Sequence, residues 1–188
     1  MGLVQLHPLH PVVHALLAAL VIVAAATDLR SRRIYNWLTA PAVAAGFAAH
    51  PAVKALAGAS PIDGLIFAAA GFGLALLIFV PLFALRAFGG GDVKLMVAVG
   101  ALAGAGNLFM IFLVDAVLGG IAALVLAAAR GRLWRTLRNV GRILKSLARG
   151  LPPYVEHEEL QAGHEKSLGL PRGVTIALAV LLVQWAAG

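Results

Sequence analysis

The sequence predicts an all-α fold, a polytopic integral membrane helix bundle of about six transmembrane helices plus an interfacial amphipathic helix. Three observations carry this expectation. Of 188 residues, 61% are hydrophobic and 12% charged, against roughly 45 to 50% and about 25% in soluble domains, and mean hydropathy is +0.93. Polar surface is too scarce to cover a water-soluble globule. Apolar stretches recur along the chain, each close to the roughly 20 residues a helix needs to cross the hydrocarbon core. Finally, the basic residues segregate to one side of those stretches. The length suits one domain, 1–188. Cys is absent, which excludes disulfides, iron–sulfur clusters, thiolate zinc sites and a Cys nucleophile.

In chain order the expected spans are 11–27, 37–56, 64–85, 93–106, 107–129 and 171–187. The fourth is the shortest and rich in Gly and Ala, as befits a compact span packed inside the bundle. With the N-terminus outside, the inner loops collect Arg30, Arg32 and Arg33, then Arg86 and Lys94, then every basic residue from Arg130 to Arg172, which is 14 of the 15. Only Lys54 falls outside. Under the positive-inside rule this bias sets the orientation in a cytoplasmic membrane. It also argues against nucleic acid as a partner, because the basic residues mark a membrane face. No positive charge precedes the first span and three arginines follow it, so Ala24 to Ala26 only mimic a signal-peptide cleavage site.

After the fifth span, Leu133, Leu137, Val140, Leu144 and Leu147 recur at helical spacing and make one apolar face. Arg132, Arg135, Arg138, Arg142, Lys145 and Arg149 fill much of the remainder. The stretch 130–150 therefore reads as a cytoplasmic amphipathic helix lying on anionic lipid headgroups. Residues 151–170, with Pro152, Pro153 and Glu156, Glu158, Glu159 and Glu165, read as a cytoplasmic loop. His157 and His164 stand among these acids, but their spacing matches no helical zinc pattern, and a solvated loop is expected. His7, His10 and His14 read as a lead-in, and no metal site is expected.

The remaining acids are Asp28, Asp63, Asp92 and Asp115. Asp63 follows Ser60-Pro61 and reads as the cap of the third span. Asp28 ends the first span and Asp92 begins the fourth at the same boundary, so the topology brings two carboxylates to similar depth despite 63 residues between them. Such a pair suits general acid–base chemistry, one group activating water while the other, protonated, polarises a carbonyl. The helix dipole makes Asp92 the base and Asp28 the acid; Arg30, Arg32 and Arg33 argue the other way, and the two act as a coupled unit. The plain alternative is a cap and an interfacial anchor. Gly89-Gly90-Gly91 directly before Asp92 favours the site reading, since glycine lets an extended peptide approach the carboxylate closely.

Gly89-x-Gly91-Asp92 resembles the GxGD motif of intramembrane aspartyl proteases, and Gly89 to Leu95 resembles the corresponding segment of the type IV prepilin peptidases. Asp28 to Thr39, an Asp followed by a basic cluster and Ile34-x-Asn36, is similar to that family's first aspartate segment. Pro171-x-Gly173 is similar to the start of its last helix. The resemblance implies that Asp28 and Asp92 are the catalytic pair of an inner-membrane endopeptidase. Its partners would be Flp/Tad-type prepilins, whose short basic leaders it would cut at the cytoplasmic face without metal or organic cofactor. Gly89, Gly91, Lys94 and Asn36 would support the loop and the substrate. Lacking Cys, the chain is most like the short TadV/CpaA-like form and lacks the CxxC zinc motifs of the methylating members. Tyr35 stands where many members have Pro.

Asp115 lies within the fifth span, where an ionisable group is by default of functional interest. A hydrogen bond to a neighbouring helix is its favoured reading over a proton relay. Lys94 is placed either to act on Asp92 or to meet lipid phosphate. Asn36 is placed to bond near Asp28 or to cap the second helix. A reading from another class is a small proton-coupled transporter that uses Asp28, Asp92 and Asp115 as carriers.

Overall fold

The computed structural model describes residues 9–85, 87–131, 134, 138, 140, 141 and 172–187. Among these, the chain forms helices α1 (Pro11–Ser31), α2 (Asn36–Leu56), α3 (Pro61–Ala84), α4 (Gly90–Ala129) and α5 (Arg172–Ala187), without strands. Three of them, α1, α3 and α4, are long and apolar enough to cross a membrane, and α5 is a shorter apolar helix. Of the amphipathic stretch 130–150, Trp134, Arg138, Val140 and Gly141 are helical and exposed. The bulk of that stretch and the loop 151–170, with His157 and His164, lie outside the described residues.

Local signals explain the helix ends. Pro11 occupies the first turn of α1, where its missing N–H costs nothing, and the His10 ring accepts from the Val12 amide at 3.4 Å. The helix runs past the expected end at 27 and closes on Arg32, whose left-handed φ of 51° aims its N–H at the Asp28 carbonyl, 2.9 Å away. Asp28 is thus part of the last turn. The expected capping role of Asp63 is corrected: Ser60 caps α3, its hydroxyl accepting from the Ile62 amide at 3.3 Å, and Asp63 stands in the first turn. The reason is Pro61, which suits the first helical position and leaves the preceding residue as the cap.

Helix α4 is two arms. At Gly104, φ is 77° and ψ 170°, a backbone region open to glycine and closed to other residues. The expected boundary between 93–106 and 107–129 therefore falls at Gly104. The arms fold back on each other. Unbroken, about 33 Å of helix would separate Gly90 from Phe112 at roughly 1.5 Å per residue, yet Phe88 and Phe112 both meet the Phe79 ring, each at 5.4 Å. The break releases carbonyls from the helical ladder, and His50 of α2 meets one: its Nε2–H donates to the Leu102 carbonyl at 2.8 Å. This settles the tautomer, because a carbonyl only accepts.

The first arm is the axis of the bundle. Every residue from Leu95 to Gly104 is buried, which requires small side chains wherever a neighbouring backbone comes close. A Cβ on Gly71 of α3 would overlap the Gly100 carbonyl, and one on Gly46 of α2 would stand 2.7 Å from the Ala101 oxygen. Val13, Leu17, Leu20, Val21 and Ala24 of α1 and Ile176, Ala179, Val180 and Val183 of α5 complete the core. Outward faces are apolar too, with Leu77 72%, Val117 61% and Trp185 83% exposed, as a surface facing lipid requires. Gly71→Val is expected to force α3 and α4 apart and to cost about 1–3 kcal/mol or more, as overpacking does. Thermal unfolding in detergent checks this against Gly73→Val, which faces open space; equal midpoints would refute the close-approach account.

Candidate active site

Both carboxylates singled out in the sequence arrive at one end of the bundle. Asp28, in the last turn of α1, is buried at 9% exposure. Its Oδ2 accepts from the Gly173 N–H at 2.8 Å. That amide belongs to the first turn of α5, whose N–H groups have no partner within the helix and form a natural carboxylate receptor. The approach is so close that a Cβ on Gly173 would lie 2.9 Å from the Asp28 Cβ and 3.0 Å from Oδ2. A lining residue with any side chain would push the carboxylate away.

Asp92 occupies the first turn of α4, capped by Gly89. Its carboxylate turns back to accept from the Gly89 backbone N–H, the reciprocal half of a capping box. The three glycines let the loop settle against its surroundings. A Cβ on Gly91 would stand 3.3 Å from the Ile34 Cβ, in the connection between α1 and α2, and one on Gly89 would stand 3.3 Å from the Asp92 Oδ2. Asp92 is half-buried and close enough to Asp28, Arg172 and Asp115 for the charge of each to act on it.

The expected supporting residues divide into two groups. Gly89 and Gly91 shape the loop at Asp92. Lys94 and Asn36 instead meet each other, Lys94 Nζ donating to Asn36 Oδ1 at 2.9 Å between the N-terminal parts of α4 and α2. Asn36 therefore does not cap α2: the cap position is Tyr35. Arg30, Arg32 and Arg33 are exposed around the end of α1.

Asp115 is buried at 4% exposure and makes the expected hydrogen bond to a neighbouring helix, with the Thr175 side chain of α5. Its Oδ1 has no hydrogen-bond partner among the described residues. Because α4 doubles back at Gly104, Asp115 returns to the end that carries Asp28 and Asp92. The three acids thus gather at one end instead of forming a file through the bundle, the arrangement a proton path along them would need.

Three residues of this end escaped the sequence reading. Phe88 packs edge-on to Phe79 at 5.4 Å, and Arg172 lays its guanidinium over the Phe88 ring at 4.0 Å. Thr175 donates to the Arg172 carbonyl at 3.0 Å besides meeting Asp115. A signal for Arg172 did exist: the helix dipole disfavours a cation in a first turn, so an arginine there calls for nearby anions. Among the described residues no cluster of His, Cys, Asp and Glu could hold a metal ion.

The arrangement offers two carboxylates from separate helices, each anchored by a backbone N–H, beside a glycine loop. No curated protein and no solved structure matches the chain significantly. A family model does: it covers residues 15–124, from α1 through both arms of α4 and so both acids, and over this more than half of its length the chain belongs to the type IV leader peptidase family.

Proposed function

We propose that the chain, as a single membrane domain, is an aspartic endopeptidase whose Asp28 and Asp92 remove the short basic leader of Flp/Tad-type prepilins at the cytoplasmic face of a bacterial inner membrane. The observation that carries this is the meeting of the two carboxylates at one end of the bundle, beside the glycine loop, in a chain of a leader peptidase family. The topology that fits has six crossings: α1, α2, α3, the two arms of α4, and α5. The N-terminus is then outside and 14 of the 15 basic residues lie at the inner side. The basic stretch 130–150 rests on anionic headgroups in this arrangement.

The chemistry needs no cofactor. The ionised carboxylate takes a proton from water as its oxygen attacks the scissile carbonyl carbon, and the protonated carboxyl gives its proton to the carbonyl oxygen. The resulting tetrahedral diol collapses as the carboxyl that took the water proton passes it to the peptide nitrogen, a diol hydroxyl gives its proton to the other carboxylate, and the C–N bond breaks, which restores the pair. Gly89, where a Cβ would stand 3.3 Å from the Asp92 Oδ2, leaves that oxygen open to an extended leader, and Gly91 lets the turn pack against Ile34.

The test is co-expression of a short-leader Flp-type prepilin with wild type, Asp28→Ala, Asp92→Ala or Asp115→Ala, read by gel shift and by mass spectrometry of the product. Processing lost in the first two and kept in the third supports the pair; processing kept in all refutes it. Because the pair works with one proton between its two groups, kcat/KM of the wild type is expected to pass through a single maximum with pH. A rate that rises or falls in one direction only, across the range where the protein stays folded, would show that one titrating group suffices.

A further inference from the structure

The glycines that let the turn before Asp92 pack against Ile34 and Phe83 add little stiffness of their own, since each Gly surrenders more backbone freedom on ordering than any other residue. A contact outside this turn adds to the constraint that α4 and the Gly89 amide supply. Phe88 is the last residue before the glycines, and its ring is fixed by Phe79 at 5.4 Å with an interplanar angle of 65° and by the Arg172 guanidinium at 4.0 Å from its centroid. This second contact ties the loop to the first turn of α5. The same turn reaches the other acids: the Gly173 N–H bonds Asp28 at 2.8 Å, and Thr175, held on the Arg172 carbonyl at 3.0 Å, bonds Asp115. Residues 172–175 therefore touch the supports of all three carboxylates. Arg172 also stands at a helix position where the dipole opposes its charge, so the anions and the aromatic face around it are what make the position tenable.

We propose that Arg172 is a positioning residue of the peptidase: stacked on Phe88, it holds the glycine loop so that Asp92 stays in register with Asp28, which the adjacent Gly173 amide secures. This rests on the reading of Asp28 and Asp92 as the catalytic pair. Arg172 acts on Asp92 through Phe88 as well as by its charge and leaves substrate binding to other groups, so its removal lowers kcat and spares KM. A misplacement of about 1 Å costs on the order of 100-fold in rate, and a loosened loop falls somewhat short of that.

The experiment measures kcat and KM for a Flp-type prepilin with the full chain purified in detergent, as wild type, Arg172→Leu, Arg172→Lys, Phe88→Leu, Phe88→Trp, the Arg172→Leu/Phe88→Leu double variant and Asp92→Asn. Arg172→Leu and Phe88→Leu are each expected to lose about 10- to 100-fold in kcat with KM within about threefold, by the misplacement argument. The double variant loses less than the product of the two single losses, because the two substitutions share one contact. Arg172→Lys and Phe88→Trp keep a cation on an aromatic face and recover most of the rate. Wild-type kcat in Arg172→Leu, losses that multiply in the double variant, or a raised KM at unchanged kcat would each overturn the proposal. If Arg172→Leu does not fold, Phe88→Leu and its Trp rescue test the same contact from the other side. Activity in Asp92→Asn would defeat the catalytic pair itself, whereas an inactive Asp92→Asn beside a fully active Arg172→Leu defeats this inference alone.

Discussion

Asparagine at Asp28 or at Asp92 is expected to slow leader cleavage by about 10³- to 10⁴-fold, the upper part of the range that a positioned acid or base contributes. Asn keeps the size of Asp and can still accept from the Gly173 amide at position 28 or the Gly89 amide at position 92. What it removes is the proton shuttle. The two groups share one catalytic cycle, so the double variant is expected to be no slower than the slower single one, the non-additivity of residues acting as a unit. The measurement is the rate of leader removal in membranes, with the thermal midpoint of each variant as a folding control. Losses that multiplied across the double variant would mean that the carboxylates work in independent steps.

Gly173→Ala carries the second large effect. A methyl group there would sit 2.9 Å from the Asp28 Cβ and 3.0 Å from its Oδ2, distances at which something must move. Either the first turn of α5 withdraws, which breaks the 2.8 Å bond to Asp28, or the carboxylate swings away from its partner. Both displace Asp28 by a substantial fraction of an ångström, and the cost is about 100-fold in kcat. Gly119→Ala is the matched control, because a Cβ there meets nothing within 4 Å. Cleavage by Gly173→Ala within about threefold of wild type would show that the α5 amide does not set the position of Asp28, a threshold far below the loss that misplacement brings.

The helical class and the helix order were legible in composition and apolar runs, since burial and hydrogen-bond satisfaction in an apolar medium leave a chain of this hydropathy few alternatives. The ends were legible where a local rule acted alone. At Ser60-Pro61-Ile62-Asp63 the acid reads as the cap, but the proline at the first helical position makes Ser60 the cap. The candidate site was half legible: Asp28, Asp92 and the glycines stand out as residue types in a recurring pattern. Lys94 and Asn36 also stood out, but their use did not, because their partner turned out to be each other, 58 residues apart.

Features that depend only on a residue and its chain neighbours can be read without a structure: which stretches are apolar enough for helices, where glycine permits unusual backbone, and which family the chain resembles. The tertiary structure alone decided which helix faces meet. It returned Asp115 from the interior of its apolar stretch to the end that holds the other acids, through one glycine at φ 77°. It put an α5 amide on Asp28, 145 residues away in the chain, and the Arg172 guanidinium on Phe88. Such contacts depend on the rotation and depth of whole helices, which follow from close packing along the buried arm 95–104 and leave no trace in any local window of sequence.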